Sequence, residues 1–106
     1  MPKMMVKASY TAEGARGLVK EGGSGRVASV TKVIEGLGGK VEAFYFAYGT
    51  DDAFVIVDVP DEASGLALAI AVNASGTVHC TTVPLITPEM MDAACKKTVG
   101  YKAPGA

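Results

Sequence analysis

A chain of 106 residues, 49% of them apolar, has material for one hydrophobic core and too little for two domains. Ten Lys and Arg against eleven Asp and Glu leave a formal charge of −1, which offers no electrostatic attraction to nucleic acid or to an anionic membrane surface. The uncharged stretch 63–82 is not a membrane span, because Ser64, Gly65, Asn73, Ser75, Gly76 and His79 break it up well short of the ~20 apolar residues that crossing requires.

Residues 3–10 alternate as a first strand, with Met4, Val6, Ala8 and Tyr10 on one face and Met5, Lys7 and Ser9 on the other. Thr11 is placed to cap a short helix over 12–21, which Gly14 and Gly17 weaken and Gly22-Gly23-Ser24-Gly25 interrupts. A second helical stretch, 26–37, carries Val27, Val30, Ile34 and Leu37 on one stripe and ends at Gly38-Gly39. Strands at 40–48 and 52–59 follow, joined through Gly49-Thr50-Asp51. In the first, Glu42, Phe44, Phe46 and Tyr48 alternate with Val41, Ala43, Tyr45 and Ala47; in the second, Phe54 and Ile56 alternate with Val55, Val57 and Val59. The hairpin is thus apolar on both faces and needs two covers.

Pro60 closes that hairpin, and Asp61 caps a helix over 61–74 so apolar all round that burial on more than one side is expected. A fourth strand spans 77–83, and Thr87-Pro88-Glu89 opens a C-terminal helix, with 101–106 as a loose tail after a single domain over 1–100. Strand, helix, strand, strand, helix, strand is the ferredoxin-like α+β order: a four-stranded antiparallel sheet with its helices on one face, here with an added C-terminal helix. The uncovered face predicts a second copy of the chain as its partner, in the manner of a dimeric α+β barrel. The first ten residues alternate rather than forming a leader's apolar core, and Cys80 and Cys95 have no metal-ligand spacing; a cytoplasmic protein with two reduced thiols is expected.

Chemistry-bearing residues are few. Arg16, Lys20 and Arg26 surround the glycine-rich turn, where backbone N–H groups could receive an anion, although the Walker and dinucleotide-binding spacings are not met. His79 is the single histidine, and its neighbour Cys80 points to the opposite sheet face, so the two do not form a ligand or nucleophile–base pair. Tyr45, in a central-looking strand, could donate its hydroxyl to a ligand or sit at a dimer interface, and Tyr10 and Tyr48 share that ambiguity. Adjacent Asp51 and Asp52 suit a turn, where aspartate bonds nearby backbone.

The ordered fragments Tyr10-Thr11 with Gly14 and Arg16, Leu37-Gly38-Gly39-Lys40, Phe44-Tyr45, Tyr48-Gly49 before Asp52, Val55-Ile56-Val57 before Pro60-Asp61, Ser75-Gly76 before Thr81-Thr82, and Thr87-Pro88-Glu89 resemble the GYD-domain family over nearly the whole chain. The resemblance implies a dimeric ferredoxin-like domain and no established activity. The pattern that names the family has Gly, a variable residue, then Tyr-Asp; here Asp51 stands in place of the tyrosine. Two functional readings follow. The first is a homo-oligomeric protein without a recognisable catalytic constellation, metal or cofactor, which binds a small anionic or aromatic ligand through Arg16, Lys20, Arg26, Tyr45 and His79, or serves assembly. The second is a cofactor-independent oxygenase or isomerase of the dimeric α+β barrel type, with His79 or Tyr45 moving a proton, which rests on fold analogy.

Overall fold

The computed structural model describes residues 2–106. Its elements run β1 (Lys3–Tyr10), α1 (Ala12–Glu21), α2 (Gly23–Gly36), β2 (Lys40–Phe46), β3 (Ala53–Asp58), α3 (Glu62–Ala74), β4 (Val78–Leu85) and α4 (Pro88–Cys95). The four strands form one antiparallel sheet in the order β2-β3-β1-β4, compatible with the ferredoxin-like arrangement. None of the described helices is long and apolar enough to cross a membrane.

One face of the sheet is buried. Ala8, Ala53, Val78 and Cys80 form one core cluster, and Val55, Val57 and Val59 form another with Ile34 of α2. Met4 and Leu68 pack on the second cluster and Ala69 and Val72 on the first, so α2 and α3 cover the same face. The opposite face lies open. Strand register places Val83, Met5, Ile56 and Ala43 in one row across it and Thr81, Lys7, Phe54 and Tyr45 in the next.

Four local expectations change. Val41 pairs with Val57 while Ala43 pairs with Ile56, so Glu42 is an extra residue in the ladder, a β-bulge. The bulge turns Val41 to the helix face with Phe44, breaking the simple alternation, and leaves the Glu42 carboxylate paired with the Lys3 ammonium, which also meets Asp58 at 3.1 Å. β2 ends at Phe46, and Tyr48 is fully exposed in the turn beyond it. The glycine-rich segment is not a loop: only Gly22, at φ 81°, leaves helical geometry, and α2 begins at Gly23. Finally, α3 is not buried on more than one side. Its inner side meets the sheet, whereas Leu66 and Ile70 remain about 60% exposed, because a two-layer fold has nothing outside its helices.

β4 continues to Leu85, and from Ile86 to Ala106 every residue is exposed. The radius of gyration, 16.9 Å, exceeds the ~13 Å of a compact chain this long, as it must when the last segment lies off the body.

Candidate functional site

At one end of the sheet α1 lies across the last residues of β1 and the approach to β4. Thr11 fixes it there: its side chain accepts from the Gly14 N–H at 3.2 Å, while its backbone N–H and hydroxyl both donate to the Thr77 carbonyl, at 3.0 and 3.2 Å. α1 therefore approaches Thr77 so closely that a Cβ on Gly14 would overlap that carbonyl oxygen. Gly17, one turn on and lining the same cleft, faces open space instead. Between them the two glycines keep a cleft of about 490 Å³, within the usual range for small-molecule sites, walled by Tyr10, Leu18, Lys20, Glu21 and Arg26.

Behind the cleft, between the sheet and α2 and α3, is a recess of about 60 Å³ lined by Val6, Val30, Phe44, Leu68, Val72 and Cys80. Tyr10, Arg26 and Val78 line both spaces and stand between them. Arg26 is the charged group among these three. Its Nη1 lies 3.9 Å from Glu21, a carboxylate that also accepts a hydrogen bond from Ser29 at 2.9 Å. Its Nε is buried and has no hydrogen-bond partner among the described residues. Burial also raises the Cys80 thiol above its ordinary pKa, despite a smaller opposing effect from Asn73, so at neutral pH it presents a protonated, weakly polar surface.

The structure divides the residues singled out from sequence. Lys20 and Arg26 line the cleft, and Arg16 is exposed on α1 outside it. Tyr45 and His79 lie on the other face of the sheet, on its two edge strands, three strand spacings or about 14 Å apart across it. Tyr45 is 72% exposed, and His79 is exposed opposite Ser9. They do not share a small ligand with each other or with Arg26 inside one chain. Asp52 bonds backbone instead: its carboxylate accepts from the Tyr10 N–H at 2.8 Å, and its own N–H donates to the Ala8 carbonyl. Asp51 accepts from the Ser9 hydroxyl at 3.4 Å. The two aspartates thus tie the hairpin turn to the end of β1. Sequence reading missed Gly14 and Gly17 as cleft residues; their spacing on one helix face was the available signal.

Among the described residues, no three His, Cys, Asp or Glu side chains converge as a metal site. What the cleft and the apolar recess share is Arg26, Tyr10 and Val78.

Searches of curated proteins and of solved structures each found no match. A family model described as the GYD domain matches residues 4–95, from the second residue of β1 through the cleft residues to the last residue of α4. The chain therefore belongs to the GYD-domain family.

Proposed function

We propose that this protein is a homo-oligomeric small-ligand-binding protein of the cytoplasm, with the cleft under α1 as its binding site. The observation that carries the reading is the buried, unpartnered Nε of Arg26 at the junction of a cleft and an apolar recess. A buried donor without a partner costs about 1–3 kcal/mol. The oxygenase or isomerase reading has less behind it, since His79 is on the far side of the sheet from this cleft and the recess thiol is held protonated.

Association through the open face is supported by its central row, Val83, Met5, Ile56 and Ala43, with Phe54 and Tyr45 beside it. A second copy set face to face would meet a like apolar surface, and Tyr45 would lose its exposure. Native mass spectrometry of the purified protein tests both parts. The expected spectrum is a subunit pair carrying a small-molecule adduct; a bare monomer at micromolar concentration would overturn the proposal.

A further inference from the structure

We infer that the ligand of this cleft is a short aliphatic monocarboxylate, bound with its carboxylate on Arg26 and its tail in the recess. The inference rests on the reading of the cleft as a ligand site and adds the chemical class.

The charged end follows from the guanidinium. Arginine carries five N–H donors in a planar fork, which a carboxylate matches with two parallel hydrogen bonds. Here Nε–H has no partner among the described residues, and the 3.9 Å approach of Glu21 is too long for a hydrogen bond. The other oxygen of Glu21 accepts from the Ser29 hydroxyl at 2.9 Å. Tyr10 lines both spaces beside Arg26.

The other end follows from the recess. Val6, Val30, Phe44, Leu68 and Val72 give it an apolar lining. Its volume, about 60 Å³, is well below the ~150 Å³ of a cavity that accepts benzene, so an alkyl chain enters and an aromatic ring does not. A second negative charge finds no place: at one end it would enter the apolar recess, and at the other it would face Glu13 and Glu21 across the cleft, with Lys20 as the single additional cation among the described lining residues. Dicarboxylates and phosphate are therefore poor ligands, and the acid carries one charge.

Calorimetric titration of the full chain near neutral pH with acetate, propionate, butyrate, pentanoate, hexanoate and octanoate tests this. Affinity rises about fourfold per added methylene while the recess fills, then levels off or falls by octanoate. Hexanamide binds at least tenfold more weakly than hexanoate, and benzoate, succinate and inorganic phosphate bind more weakly than hexanoate as well. Arg26→Gln removes the preference for acid over amide, whereas Arg16→Gln, on the exposed side of α1, keeps it. Should Arg26→Gln fail to fold by circular dichroism, the acid and amide pair on the wild-type chain decides alone. Equal binding of hexanoate and hexanamide, tighter binding of benzoate, or no dependence on chain length overturns the inference. If a neutral co-purified molecule shifts the NMR signals of Tyr10 and Gly17 while no acid does, the carboxylate assignment fails and the ligand site stands. If nothing shifts them, both fail.

Discussion

Gly14 and Gly17 occupy one face of one helix, yet alanine at the two positions is expected to act in opposite directions. At Gly17 the new methyl meets no atom, so the substitution collects the helix-propensity difference and the smaller entropy of the unfolded chain, about 0.5–1 kcal/mol of stabilisation. At Gly14 the methyl overlaps the Thr77 carbonyl oxygen, a backbone atom that cannot rotate away. Overpacking of this kind costs about 1–3 kcal/mol, and α1 can yield only by loosening the Thr11 bonds to Thr77. Subtracting the propensity gain leaves a net loss of up to about 2.5 kcal/mol. For a domain of this size each kcal/mol moves the Tm by about 4–8 °C, so Gly17→Ala melts roughly 2–8 °C higher than wild type and Gly14→Ala up to roughly 20 °C lower. Thermal unfolding followed by circular dichroism at matched protein concentration reads both. A rise in Tm for Gly14→Ala, or a shift of the two variants in the same direction, would refute the account of how α1 is seated.

Ile34 is 1% exposed between α2 and β3, and Ile34→Ala is expected to cost about 2–5 kcal/mol in urea unfolding, with the denaturant slope unchanged. Phe54→Lys on the open face should convert a subunit pair to monomers in sedimentation velocity while the helix signal is retained; a wild-type chain that already sediments as a monomer defeats the prediction. Because burial raises the Cys80 thiol, the unfolded chain gives up that proton at lower pH than the folded one. The Cys80 contribution is therefore intact below the ordinary thiol value of 9.0 and is lost as pH climbs from there through the folded-state value. Stability measured from neutral to alkaline pH should fall more steeply for wild type than for Cys80→Ala, and parallel curves would count against burial as the cause.

Much of this fold could be read from periodicity. Met4, Val6, Ala8 and Tyr10 alternate cleanly and line the buried face, and the caps Thr11, Asp61 and Thr87 each accept from the N–H three residues on. Glu42 escaped because a bulge leaves no compositional trace: its effect appears only when partner residues are paired across strands. The Gly22–Gly25 segment misled because glycine lowers helix propensity by about 1 kcal/mol per residue, a preference that tertiary packing overrides; a ring carbon of Phe46 would lie 3.4 Å from a Cβ on Gly23. For the site, basic residues could be listed from sequence, but separating Arg26 from Arg16 required knowing which side of α1 and α2 faces the sheet. Tyr45 and His79 looked like partners for a ligand until strand order set them on opposite edges.

The bulge at Glu42 and the proline at position 84 have a common effect on how the sheet can grow. Both lie on edge strands, β2 and β4, the two places where another strand could add by main-chain hydrogen bonding. The bulge interrupts the regular spacing of donors and acceptors on one edge, and Pro84 offers no N–H on the other. Lateral extension, the route to open-ended fibres, is thus discouraged at both margins. The proposed contact between copies would then use the flat of the sheet, where a two-fold pairing closes on itself and stops.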